Sequence, residues 1–411
     1  MIRRFTLIVL LAIFATGCAV QELVVAEETE LVVAASSIDE AMLLDVGIIE
    51  FDPQIPGDNR PEKTGIYEDI RRAEGKYIPY HLKTTLQGAG HWGAVRVIPS
   101  RKAFTDVIVS GVIEKSDGEY IELEITVTDA TGRHWFTRSY ETQTGLTSYS
   151  KRRDRRRDPY QKVFNDFAND LQQHAALMPP KQLQQTRQVS ELQFFADMAP
   201  VPYDDYLTLG EDDIANVVRL PAENDPSVAR MRQIRERDRL VVDTLNEHYA
   251  NFYYGIAIPY RNWRKNARAE TVKFRQEKRS AQMQALVGVV VIAASSQIDT
   301  NGSSSRNTNN INRALQYQGI TRGFNTVFNA MQRNRDAGLH LEAIAELSES
   351  FGNEAAPMVV DVEGQERRLT GTAEAQYERW RQLLREIYEA DTGFSQSVEV
   401  GAPARAPEPT G

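Results

Sequence analysis

The chain has 411 residues, 41% of them hydrophobic and 26% charged, with 57 acidic side chains against 48 basic ones. The length suits two or three domains with real cores, and a formal charge of −9 is the wrong sign for a dedicated nucleic-acid binder. A single cysteine excludes an intramolecular disulfide, a cysteine-based zinc cage and an iron–sulfur cluster.

At the amino terminus, Arg3 and Arg4 precede an uncharged, almost wholly apolar run from Phe5 to Ala15, and Ala15-Thr16-Gly17 then lead into Cys18. At about 1.5 Å per residue this run is too short for a bilayer core of ~30 Å. It reads as a cleavable export signal, with small residues shaped for a peptidase cleft. The alternative is an ordinary signal with an incidental cysteine. The segment resembles the lipobox signal of bacterial lipoproteins, although Ala15 stands where that family prefers Leu. The resemblance implies cleavage between Gly17 and Cys18 and acylation of Cys18, so the membrane partner is reached through acyl chains. Ala19 after the cysteine favours the periplasmic side of the outer membrane over retention at the inner one. Removing residues 1–17 takes the formal charge to −11.

Residues 18–41, acidic and rich in small side chains, read as a lipidated tether with marginal structure. A first domain is expected over 42–178. Leu43 to Phe51 fits a buried strand, and Ile66, Ile70, Ala73 and Tyr77 recur at helical spacing, with a kink or restart at Pro79. Ala94 to Ile98 is a short strand. Three strands follow, the clearest being Ile121, Leu123, Ile125 and Val127 alternating with Glu122, Glu124, Thr126 and Thr128. Ser116-Asp117-Gly118 and Asp129-Ala130-Thr131-Gly132 are hairpin signals. A helix over 159–177 closes the unit. The expected fold is therefore α+β: a small mixed-sheet sandwich with helices on one face, followed by a mainly helical domain.

Residues 179–222 read as a Gln-rich link with short helices. The helical domain is expected over 223–393. Asp225-Pro226 starts a helix carrying Met231, Ile234, Val241, Leu245, Tyr249 and Phe252. Gly255 and Pro259 are expected to interrupt it, with a further helix over 260–296. Residues 301–310 read as a loop, 311–334 and 338–352 as helices, 358–370 as a small hairpin and 372–390 as a last helix. The tail, 394–411, is rich in Pro, Ala and Gly.

Candidate sites are few. None of the six histidines is spaced as a helical zinc pair, and no cofactor or nucleophile motif is present. Asp204, Asp205, Glu211, Asp212 and Asp213, beside Tyr203 and Tyr206, could serve a glycan-cleaving carboxylate mechanism or could simply be solvated. The block containing Arg152, Arg153, Arg155, Arg156 and Arg157 could meet an anionic surface or be a solvated loop. Ala285 to Ala294 is apolar throughout and fits a core helix, an oligomer interface or a membrane-dipping segment. Tyr253, Tyr254, Tyr260, Arg261, Trp263 and Arg264 are the place to look for a partner-binding groove, although core packing also explains them.

The order of the first domain, with Val107 to Ile113, Ser116-Asp117-Gly118 and Val127 to Trp135, is similar to small periplasmic α/β modules. These occur in the curli-secretion lipoprotein, in lipoprotein activators of penicillin-binding proteins and in the amino-terminal part of the Tol system's propeller protein. The resemblance spans about 100 residues and implies an envelope accessory protein that works by protein–protein binding, without nucleic acid. A homo-oligomer, a secretion-channel subunit and a cell-wall glycan enzyme stand as alternatives.

Overall fold

A computed structural model describes residues 28–60, 64–145, 147–150, 157–210, 212–222, 224–295, 335–353, 357–362 and 365–392. Cys18, Gly17, most of the basic block, Glu211, the stretch 296–334 and the carboxy-terminal tail lie outside them.

The chain folds as α+β. A five-stranded mixed sheet has the order β2-β1-β3-β4-β5. Strand β1 (Val46–Ile48) runs parallel to β2 (Val95–Val97) and β3 (Val107–Ser116). Strand β3 continues into β4 (Tyr120–Asp129) and β5 (His134–Gln143) as an antiparallel meander. Helix α1 (Glu68–Ala89) connects β1 to β2, and α2 (Gln161–Leu177) follows β5. Alternation decides which face is covered. Ile121, Leu123, Ile125 and Val127 of β4 are buried with Val163, Phe164, Phe167 and Leu171 of α2 and Ile70, Tyr77 and Ile78 of α1 in one core.

Both expected hairpins form. Asp117 Oδ1 accepts from the amides of Glu119 and Tyr120 at 2.9 and 2.7 Å, and Asp129 Oδ1 accepts from Thr131 N at 2.9 Å. Gly118 sits at φ +83°, where an added Cβ would run into the backbone of Arg264 and Arg268, which only glycine avoids.

Four expectations change. Helix α1 is continuous through Pro79. Proline lacks the amide that would bond the Gly75 carbonyl, and the amide of Phe51 takes that carbonyl instead, at 2.9 Å. The lost helical bond becomes a tertiary one. Likewise α4 (Pro226–Ser295) runs unbroken through Gly255 and Pro259. Gly255, whose carbonyl Pro259 leaves without a helical partner, is exposed to water. The Gln-rich link is helix α3 (Pro180–Met198), which buries Leu183, Val189, Leu192, Phe194 and Phe195. A short hairpin, β6 (Leu207–Leu209) with β7 (Ala215–Val217), follows it.

The fourth change concerns the tether, whose last part is docked. Asn165 and Asn169, one turn apart on α2, donate to the carbonyls of Thr29 and Glu30 at 2.7 and 2.9 Å. Asn169 Oδ1 accepts from Val32 N at 2.8 Å, and Ala34 N donates to Ala89 O.

Helix α4 begins as expected, with Asp225 Oδ1 accepting from Ser227 N at 2.8 Å. Helices α5 (Arg335–Asn353) and α6 (Ala373–Thr392) and the hairpin of β8 (Met358–Val362) and β9 (Gln365–Leu369) complete the chain. Side chains of α1, α3, α4 and α6 join the same buried cluster as the sheet, so the core runs without a break across the boundaries expected at 178 and 223. Ala267 is the last side chain of α4 described as buried, and the helix runs on for about 42 Å to Ser295. The apolar residues 285–294 fall on this stretch as helical backbone, with side chains outside those described.

Gly75→Ala tests the tight crossing. A Cβ there would lie 2.7 Å from the Phe51 carbonyl oxygen. Glycine to alanine within a helix ordinarily stabilises by about 1 kcal/mol; here the expected change is a loss of about 1–3 kcal/mol in urea unfolding.

Candidate functional site

The aromatic and basic residues around Pro259 do not form an open groove. Tyr260, Trp263 and Arg264 are buried. Both Nη atoms of Arg264 bond Asp158, at 2.9 and 2.8 Å, and its guanidinium lies 4.2 Å from the Tyr260 ring centre. Burial alone would raise Asp158, but the charge and hydrogen bonds of Arg264 outweigh it and hold the carboxyl well below the usual carboxylate range. Tyr260 donates to Glu74 Oε1 at 2.6 Å; Ser116 donates to the same oxygen, and Arg71 lies 3.5 Å from the other. Burial pushes Glu74 up against the pull of Arg71. The half-buried Tyr253 stacks on Tyr77 at 4.6 Å and meets His81 Nδ1 at 2.8 Å. Burial pushes His81 down, which favours its neutral form.

These groups face one another across the contact between α1, α2 and α4 and act as its joint. Of the six residues expected at a partner groove, Tyr254 alone is fully at the surface, at 66% exposure, and Arg261 is half-buried. The helical repeat explains the pattern: Tyr253, Tyr260 and Arg264 share the stripe that meets Tyr77 of α1, Tyr249 meets Glu50 and Phe351, and Tyr254 touches α1 only at the edge of Tyr80.

The acidic cluster is dispersed over the surface. Asp204 and Asp205 sit on a single exposed turn, and Asp212 and Asp213 at the tip of the β6–β7 hairpin, Asp213 at φ +57°. Tyr203 is buried against Phe195, and Tyr206 carries Arg219 over its ring. Of the basic block, only Arg157 is described; it bonds Glu28 at 3.0 Å, where the docked segment begins. Arg152, Arg153, Arg155 and Arg156 lie outside the described residues, as do Gly17 and Cys18. Among the described residues, no three His, Cys, Asp or Glu side chains could together hold a metal ion, and no helix is long and apolar enough to cross a membrane.

Two features escaped the sequence reading. One is the second face of the meander. Register places Ile108 beside Thr128, Ser110 beside Thr126 and Val112 beside Glu124. It also places Thr126 beside Thr137, Glu124 beside Ser139 and Glu122 beside Glu141. All these side chains are half-buried or exposed, so this face carries hydroxyls and three carboxylates around two partly accessible aliphatic residues. Lys115, at its rim, is engaged with Asp117 and the Tyr120 ring. The alternation of β4 was legible; that among the described residues no helix lies over its polar side, beyond the end where α3 and the β6–β7 hairpin border Ile108 and Thr128, was not.

The other is a second buried charge cluster. Arg381 of α6 bonds Asp197 of α3 and lies 3.7 Å from Asp238 of α4, with Phe104 and Phe194 against its guanidinium. Burial, only partly offset by Arg381 and by the hydroxyl of Tyr377, pushes Asp238 up to about 6. Comparison with protein-family models, curated proteins and solved structures finds no match to this chain.

Two stability experiments separate these clusters. Arg264→Met alone leaves Asp158 charged, buried and unpaired, with an expected cost of about 3–5 kcal/mol in urea unfolding; adding Asp158→Leu recovers most of it. At Asp238, the folded chain holds its proton more tightly than the unfolded one. The resulting stabilisation is full below the unfolded value of about 3.9 and is lost as pH rises through about 6. Relative to Asp238→Asn, the native chain should therefore lose stability on the order of 2 kcal/mol between pH 4 and 6.5, read from denaturant midpoints.

Proposed function

We propose that the protein is a lipid-anchored periplasmic accessory protein, held at the outer membrane by acyl chains on Cys18, that acts by binding another envelope protein. The single observation that carries the binding reading is the uncovered face of β3–β5. Glu122, Glu124 and Glu141 give this face an acidic character, so the partner it fits is a protein with a basic surface. The half-buried Val112, with Ile108 at the end of the face that α3 and the β6–β7 hairpin border, supplies apolar contact. The anchor rests on the lipobox-like Ala15-Thr16-Gly17-Cys18.

Between that cysteine and Glu28 the chain advances ten residues, a reach of about 35 Å at most. The segment beyond is fastened to α1 and α2, on the side of the sheet opposite the open face. On this reading the body stays near its membrane while the acidic face is turned away from the attachment point.

Photocrosslinking in intact cells tests both halves. A photoreactive residue at Ser139, on the open face, should give a discrete adduct with one envelope protein. The same residue at Gln173, exposed on α2, should not give that adduct. Equal labelling from the two positions, or none from Ser139, would remove the docking reading. Cys18→Ser should abolish acylation and shift the protein to the soluble fraction; normal maturation of this variant would remove the anchor.

A further inference from the structure

A hollow of about 390 Å³ lies where α3 and α4 meet the starts of β1 and β3, lined by four arginines and four carboxylates. Pairing within it is uneven. Arg232 bonds Glu191 at 2.8 Å, and Arg239 bonds Glu236 at 2.7 Å and Asp45 at 3.2 Å. Three of the four carboxylates are thereby engaged.

Arg235, 9% exposed, has no carboxylate within ion-pair distance among the described residues. Its Nη2 donates to the carbonyl of Phe104 at 3.1 Å and to the hydroxyl of Ser190 at 2.8 Å, and both acceptors are neutral. Arg187, on the facing side of α3, donates to the carbonyl of Glu40 at 2.8 Å and likewise has no described carboxylate partner. Asp106, Glu191 and Asp45 favour the charge of Arg235 from beyond ion-pair distance, but none of them closes its planar fork, which is suited to a bidentate oxyanion.

The remaining carboxylate, Asp106, is buried and accepts from Asp45 N at 2.9 Å. Burial pushes its pKa up, against the Asp45 amide, the Arg235 charge and the Ser190 hydroxyl, which pull it down. Two arginines with spare planar donors, with the amides of Gln184 and Gln188 at the rim, present a polar, donor-rich recess of small-molecule size.

We propose that this hollow binds a small oxyanion-bearing ligand, with its carboxylate or phosphate group seated between Arg187 and Arg235. The three lining pairs engage Arg232 and Arg239 with Glu191, Glu236 and Asp45, so Arg187 and Arg235 are the guanidiniums whose forks no carboxylate closes.

The test is calorimetric titration of the full chain with inorganic phosphate and, separately, with succinate, each against sodium chloride at matched ionic strength. Saturable binding of either one is expected; phosphate alone would identify a phosphate-bearing ligand, and succinate alone a carboxylate one. Arg187 is part-exposed, so Arg187→Gln should fold and should weaken binding by about tenfold or more, the loss of a charge-assisted pair. Arg235→Lys, which keeps the charge but not the fork, should weaken it as well. No binding of either anion above the chloride control, or unchanged affinity in Arg187→Gln, would overturn the proposal.

Discussion

The structure depends on a pair of charges placed where water does not reach. Asp158 stands at the start of α2, and Arg264 on α4, more than 100 residues later in the chain; neither is appreciably exposed. Each pays a desolvation cost of several kcal/mol, so the two are tolerable only together and in bidentate contact through both Nη atoms. Glu74, with its hydroxyl donors from Ser116 and Tyr260, repeats the arrangement one layer deeper. Apolar packing is indifferent to register, whereas a bidentate pair tolerates little sliding. The joint therefore fixes where along its length the long helix sits on the sheet. The same registration brings Asn246 to β2, where its amide both accepts from Val97 N and donates to Val97 O at 2.9 Å. A side chain thereby stands in for a missing strand and closes one sheet edge.

Much of the first half was legible because its physics is local. Period-two alternation over Ile121 to Val127, turn residues with the required φ, and an apolar stripe on α2 gave the element order of the sheet and its helices. What failed was reading through proline and through polarity. Pro79 and Pro259 cost a helix one hydrogen bond each, and a tertiary donor at one site and water at the other make that cost bearable. Helix α3 was hidden because Thr186 and Ser190, wholly buried, interrupt its stripe with hydroxyls. Ser190 is buried as a bonded group, donating to Phe104 O at 2.6 Å and accepting from Arg235, and hydropathy cannot register that.

The same limit governs the candidate sites. Clustering in sequence drew attention to Tyr253–Arg264 and to Asp204–Asp213, and the fold buries most of the first group and disperses the second over the surface. Arg187 with Arg235, and Glu74 with Asp158 and Arg264, come from separate elements and leave no spacing to detect. The usable signal was a charged or polar residue inside an apolar helical stripe: Glu74 between Ile70 and Tyr77, Arg235 beside Ile234, Asp238 before Val241. Such a residue must find a partner or a ligand, because the alternative is an uncompensated buried group.

That rule separates joints from sites within one molecule. Arg264 and Arg381 are satisfied by carboxylates of other elements, and their work is holding helices in place. Arg235 is buried too but bonds only a carbonyl and a hydroxyl, and it borders a hollow. Burial with unequal pairing is the asymmetry expected when one charge was kept for something the chain does not itself contain. The acidic face of β3–β5 shows the complementary case: its carboxylates are hydrated, cost little to keep, and are free to be exchanged for contacts with a partner. A recess for a small anion and a broad acidic face for a protein would then be separate functions of one fold. They approach each other at Phe104, whose carbonyl bonds Arg235 and which lines, with Ile108, a second hollow at the end of the sheet.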